Sequence, residues 1–372
     1  MTHHYLSRYA PPDHTPSLYG YRHTYPQWLD LGTMGVQFFF IISGFVIFMT
    51  LQRCRHLFEF WIRRLARLYP AYLVATLLTF VIVNAVGPLE LHRGAKDVLV
   101  GMSFLTPYVP GVRFVDGSYW SLVAEMQFYF AVGLIYTFCR SRFALAWAAY
   151  ACIGAALWSL GGSHATHVLR TLARHVFLVE SVPYFTAGIL FYQLHAGIRR
   201  GSWLLALGML ASYAATCSYS ISLATSATAP AFEELRPLVT AAMLVAFTLF
   251  VYNKLQWLAV RPLVFLGGIS YSFYLLHQFI GVSLIPFFTR TLALPDLLAV
   301  LATAGICGTL AYLLTRLVEI PAKAVLLNGA RRAFFPTLAD RFPLFQFASM
   351  TPTYAHPPQD DTAIRADVRQ GA

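Results

Sequence analysis

Four stretches of this 372-residue chain place polar or reactive side chains where a purely apolar segment would carry none. In GSYWSLVAEMQFYF, Gly117 to Phe130, Ser121 and Glu125 stand one helical turn apart in an otherwise apolar run. A carboxylate in such a run is costly, so it faces a bundle interior or a wet cavity and marks a functional site by default; the structural alternative is a hydrogen bond to a neighbouring helix. In RCRHLFEFWIRRLARLYP, Arg53, Arg55, Arg63, Arg64 and Arg67 crowd one interval. Arg64 and Arg67 are three apart, share a helix face and can grip a polyanion through bidentate contacts. Coenzyme A, with its diphosphate and ribose phosphate, fits this cluster, and anionic lipid headgroups are the alternative. FLGGISYSFYLLHQF sets Tyr274 three residues before His277, an imidazole suited either to proton transfer or to capping a helix contact. Finally, GVQFFFIISGFVIFMTLQR holds Ser43 and Gly44 among bulky residues, where small side chains let another helix approach closely. Glu180 and Glu319 are ambiguous between chemistry and simple pairing or capping.

The elements that must position these groups follow from composition. The chain is 58% hydrophobic and only 12% charged, with a mean hydropathy of +0.58; soluble domains carry roughly 25% charged residues. Apolar runs predict about nine spans near residues 34–51, 69–87, 119–138, 143–160, 175–195, 202–222, 237–252, 262–288 and 296–319. They lack the alternation of barrel strands, so the fold class is all-α, a polytopic transmembrane helical bundle. The net charge of +11 lies in short clusters between spans, which points to membrane topology and not to nucleic acid. Lys and Arg are denser in the intervals 52–68, 139–142, 196–201, 253–261 and the early tail than in the alternate ones, which puts those intervals in the cytoplasm and residues 1–33 outside. The multi-pass protein is thus expected in the inner, or plasma, membrane. Residues 1–325 form one transmembrane domain, and 326–372 a cytoplasmic, disordered tail. The five cysteines are scattered, read as buried apolar residues and suggest no metal site.

Together, GVQFFFIISGFVIF, RRLARLYP, YWSLVAE and ISYSFYLLH, in this order and at this spacing, resemble the membrane-bound acyltransferase-3 family over about residues 1–325. The resemblance implies a bundle with a family core of ten helices. It also implies an integral membrane O-acyltransferase that moves an acyl group, most commonly acetyl, from acyl-CoA to a sugar hydroxyl of a cell-surface or exported glycan or glycolipid. The family's first helix carries an arginine and, eleven residues later, a histidine proposed to be catalytic. HHYLSRY matches the stretch around that histidine and places it at His4, with His3 as runner-up. The arginine and most of that helix would then precede residue 1, so the expectation is a first helix missing or truncated. In this scheme His4 is base or acyl carrier, and Glu125 and Ser121 orient the reacting groups. Arg63, Arg64 and Arg67 anchor acyl-CoA, while Ser43, Gly44, Trp120, Tyr274 and His277 line the substrate pocket. A secondary transporter and an inactive truncated family member are the competing classes. Oligomeric state is not legible in these spans.

Overall fold

The computed structural model describes residues 3–7, 19, 21, 25–161, 166–224 and 235–347. Among them the regular structure is helical, with one isolated bridge between His56 and Gln346 in place of any sheet. The helices are α1 (Gly35–Arg53), α2 (Leu57–Val86), α3 (Ala95–Met102), α4 (Trp120–Cys139), α5 (Phe143–Leu160), α6 (His167–His175), α7 (Val182–His195), α8 (Ser202–Ala224), α9 (Arg236–Val251), α10 (Arg261–Pro286), α11 (Asp296–Leu314) and α12 (Ile320–Ala333). Each of the nine predicted spans overlaps at least one of them. Among the described residues five continuous helical segments are long and apolar enough to cross a bilayer, Leu57–Val86 and Gly117–Leu160 among them, and they make this a multi-pass membrane protein.

Two boundaries differ from expectation for physical reasons. The second predicted span starts twelve residues early, at Leu57, because His56 caps it: its Nδ1 accepts the Phe58 N–H at 3.1 Å. Arg63, Arg64 and Arg67 therefore lie within the first turns of α2 and not in a loop. The predicted 175–195 span is broken, with α6 ending at His175 and α7 beginning at Val182, after Leu178 takes a positive φ of 53°. Residues 326–347, assigned to the tail, continue as α12 to Ala333. They then fold back so that Phe342 and Phe345 pack on Phe58 and the Phe347 N–H bonds the Arg55 carbonyl at 2.8 Å. Residues 348–372, the rest of the expected disordered tail, lie outside the described residues.

Packing divides the bundle into two halves. One is built on α1 against α7 and α4, with Phe40, Phe48, Phe60, Phe128, Trp147 and Phe185 in its core. Gly44 and Gly188 allow that closeness: a Cβ on Gly44 would collide with the Phe185 carbonyl, and one on Gly188 with the Ile41 carbonyl. The other half joins α2, α10 and α11 around Tyr72, Leu275, Leu276, Ile280 and Cys307. The short helix His3–Ser7 packs on α10, where Tyr5, Tyr19, Tyr21, Val282 and Ile285 form a small separate core. The 54–56 turn lies at one end of α2 and the 87–117 loop at the other.

Candidate functional site

Helix α4 lies along the seam between the two halves. Ser118 just before it, then Ser121, Glu125 and Tyr129, recur at three- and four-residue intervals and fall on one face. Each is buried, and together their hydrogen bonds reach α1 and α10. Glu125 Oε1 accepts from Ser43 Oγ of α1 at 3.1 Å and from the Tyr129 hydroxyl at 2.5 Å. Glu125 Oε2 is buried with no partner among the described residues. Ser121 Oγ lies 2.5 Å from the Tyr274 hydroxyl of α10, and that hydroxyl donates to the Ser118 carbonyl at 2.8 Å.

Toward the 54–56 end, Arg64 is buried against α1. One Nη donates to Thr50 Oγ1 and to the Val46 carbonyl, while Nε is buried without a partner among the described residues. Arg64 and Glu125 act on one another electrostatically, yet no ion pair within bonding distance joins them. Arg67, three residues on, is exposed and makes no hydrogen bond or ion pair among the described residues. Arg63 is held away from this column: it pairs with Glu59 at 2.6 Å and lies over the Phe335 ring.

Toward the 87–117 end, His277 is buried, with Nδ1 2.8 Å from the Tyr274 carbonyl. A carbonyl can only accept, so Nδ1 carries the proton and Nε2 presents a lone pair. The His4 ring centroid lies 5.4 Å from that of His277. The segment carrying His4 is pinned by Tyr5, fully buried, whose hydroxyl donates to the His277 carbonyl at 2.6 Å and sits 3.4 Å from Cys307 Sγ. The Tyr21 hydroxyl in turn bonds the Tyr5 carbonyl at 2.5 Å, and the Tyr19 hydroxyl bonds that of His4. A terminal histidine, in isolation a poorly held group, is thereby placed.

The structure thus brings Arg64, Ser43, Glu125, Ser121, Tyr274, His277 and His4 into one polar column running from end to end of the bundle. It does not bring in Gly44, which faces α7 as a packing contact, or Arg63. Trp120 sits at the rim, 45% exposed, with its edge toward Phe40. Glu180 is a surface partner of Arg174 at 2.9 Å, and Glu319 accepts from Ser272 at 3.1 Å.

Sequence reasoning missed Asp116, Tyr129 and Tyr5. Asp116 precedes the apolar segment that starts at Gly117, and it is fully buried. Oδ1 accepts from the Ser118 N–H and hydroxyl at 2.8 and 2.7 Å, and Oδ2 from the Phe279 N–H at 2.8 Å. Burial pushes its carboxyl up to about 6, against these donors and the Arg93 charge, which pull it down. An aspartate two residues before a serine is a cap signal, but its grip on α10 is a tertiary fact. Tyr129 had a detectable signal, four residues after Glu125 on the same face. Among the described residues no three His, Cys, Asp or Glu side chains converge as metal ligands would.

An all-helical membrane bundle with a polar column threaded through its core is the class that fold and site define. The chain belongs to the acyltransferase-3 family: the family's profile, described as an acyltransferase domain, matches residues 1–316. It is 31% identical over 166 residues to the O-acetyltransferase OatA of Staphylococcus aureus, a match covering 37% of this chain and 27% of that protein. It is 32% identical over 116 residues to the acyltransferase MdmB of Streptomyces mycarofaciens, covering 30% of each. The chain therefore spans less than a third of the length of these relatives. No solved structure matches it significantly.

Proposed function

We propose that this protein is an integral membrane O-acyltransferase that takes an acyl group, acetyl in the first instance, from acyl-CoA and delivers it to a sugar hydroxyl of a surface or exported glycan. The observation that carries this reading is the pair Arg64 and Glu125: both buried, unpaired with each other, each keeping one polar atom, Nε and Oε2, without a partner among the described residues. An unsatisfied polar atom in an apolar interior costs roughly 1–3 kcal/mol, more when charged, and such a cost is relieved when a polar substrate supplies the missing bond. Arg67, exposed beside Arg64, takes the phosphates of the donor, and Arg64 Nε donates to the donor further in. Glu125 Oε2 accepts an amide N–H of the pantetheine arm, which extends along the column toward His4.

At the opposite end the acceptor hydroxyl meets His4. Imidazole takes the hydroxyl proton as the sugar oxygen attacks the thioester carbonyl carbon. The C–O bond forms, the C–S bond breaks, and the imidazolium proton passes to the departing thiolate. His277, held with Nε2 as an acceptor beside the His4 ring, favours the imidazolium that forms. The same His4 imidazole could instead carry the acyl group as a covalent intermediate. The mechanism places catalysis in a multi-pass protein of the cell membrane, with acyl-CoA on the cytoplasmic face.

Membranes incubated with radiolabelled acetyl-CoA and polysaccharide test the reading: label transferred to the polysaccharide supports it, and sugar uptake without transfer supports a carrier instead. Replacing both Arg64 and Arg67 with Ala is expected to weaken acyl-CoA binding while leaving membrane insertion intact. Wild-type affinity in that double variant would remove the anchor. Retained turnover in His4→Ala would remove the base.

A further inference from the structure

A second site lies at the 87–117 end, outside the column. A cavity of about 460 Å³ opens between that loop and α10, lined by Arg93, Thr106, Arg113, Phe114, Gly117 and Phe279 together with Pro107, Val109 and Val112. We propose that this cavity binds the acceptor saccharide through an acidic group on it, a carboxylate or a phosphate, held by Arg113.

Its construction supports a preformed anion site. The loop is clasped at both edges by Asp97, whose Oδ1 accepts the Arg113 N–H at 2.9 Å and Oδ2 the Gly94 N–H at 3.0 Å. Asn84 fixes the Arg93 backbone reciprocally, accepting its N–H and donating to its carbonyl, both at 3.1 Å. The Arg93 guanidinium lies over the Phe279 ring with Cζ 5.3 Å from the centroid, and its Nε donates to the Phe114 carbonyl at 2.7 Å. Arg113 donates to the His92 carbonyl at 2.8 Å and, among the described residues, has no carboxylate partner within ion-pair distance. Arg113 and Arg93 both line this cavity, and beside them Asp97 is occupied by backbone donors. The Glu90 carbonyl accepts from both guanidiniums.

Aromatic and apolar walls beside cations suit a sugar ring carrying an anionic substituent better than a bare ion. The cavity floor also touches the column. Gly117 and Phe279 line it, and Asp116 ties Phe279 to Ser118, which bonds Tyr274. The buried amide of Gln278 occupies the space that a Cβ on Gly117 would fill, and its Nε2 has no partner among the described residues. The role as acceptor site rests on the acyltransferase reading; the binding itself does not.

The test is equilibrium binding to the purified full chain in neutral detergent at low salt, with three probes: a uronate-containing disaccharide, glucose 1-phosphate and a neutral disaccharide. Acidic probes are expected to bind at least about tenfold more tightly than the neutral one, and Arg113→Gln to remove that preference by roughly tenfold or more. Arg113→Lys retains part of it, and salt weakens it in the wild type. Preference for the uronate or for the sugar phosphate identifies the anion. Equal binding of all three probes, or a preference unchanged in Arg113→Gln, overturns the proposal. So does displacement of the acidic sugars by short-chain phosphatidylglycerol at equal concentration, which would mark a lipid headgroup site. Acetyl-CoA binding and label transfer in the same preparation report on the acyltransferase reading separately.

Discussion

Gly281→Ala isolates what holds His4 in place. A Cβ at Gly281 would overlap the Tyr5 ring and hydroxyl, so the variant closes the socket without touching His4, His277 or the Arg64 end. Burying an aromatic side chain of 150–250 Å² at about 25 cal/mol per Å² contributes ~4–6 kcal/mol. The Tyr5 hydroxyl bond to the His277 carbonyl adds about 1 kcal/mol. Ordering the five residues His3–Ser7 costs ~5–10 kcal/mol of backbone entropy, so docking is near balance before the Tyr19 and Tyr21 bonds are counted. Losing even half of the ring contribution shifts the docked fraction about 100-fold. Label transfer should therefore fall about 100-fold, while the bundle's melting temperature stays close to wild type, since Ala favours helix over Gly by ~1 kcal/mol. Tyr5→Phe keeps the ring and loses the bond, so its rate should fall only about fivefold. Hydrogen exchange at residues 3–7 reads docking directly. If Gly281→Ala turned over within about twofold of wild type, with those amides still protected, the socket would not be what positions His4.

Three further outcomes follow from the packing and the charges. Gly44→Ala forces α1 away from the Phe185 carbonyl and should lower stability by ~1–3 kcal/mol, seen as a lower melting temperature in detergent; an unchanged midpoint would refute the close-approach account. Glu125→Gln keeps an acceptor for Ser43 and Tyr129 but exchanges the free oxygen for a donor, so it should fold normally and lose transfer by roughly tenfold or more. Equal loss of stability and activity would mean that Glu125 is only a helix tie. Burial pushes the Asp116 carboxyl up to about 6 in the folded protein from an ordinary value of 3.8. The folded state therefore holds the proton more tightly, and stability should fall by about 3 kcal/mol in all as pH rises from about 3 to about 7, lost through the folded value near 6. Asp116→Asn should flatten that slope in denaturation measured across the range, and an unaltered slope would assign it to another group.

Much of the architecture was legible because hydropathy is a local property: run length alone located a helix for every predicted span, and the face shared by Ser121 and Glu125 follows from their spacing. What escaped was set by contacts between distant segments. The start of α2 was placed late because arginines lower hydropathy, whereas the His56 cap and the burial of Arg64 against Val46 and Thr50 carry the helix through them. Ser43 and Gly44 are adjacent and both small, yet one bonds Glu125 and the other meets α7, since neighbouring positions on a helix point about 100° apart. Arg63 and Arg64 diverge in the same way, one taken by Glu59 and one buried in the column. Nothing local announces that Tyr5 fits against Gly281, because the fit depends on a missing side chain 276 positions further on.

The segment from Asp116 to Ser121 is fastened to α10 at several successive points: Asp116 to the Phe279 N–H, Ser118 and Tyr119 to the Tyr274 and Leu275 carbonyls, and Ser118 and Ser121 to the Tyr274 hydroxyl. Sliding α10 past this turn would break them together. At about 1 kcal/mol each, even four such bonds hold the displaced arrangement below one molecule in several hundred. A protein that carried cargo by rocking one half against the other would need that seam to be slippery. Here it is riveted, so the two halves stand as one stationary frame.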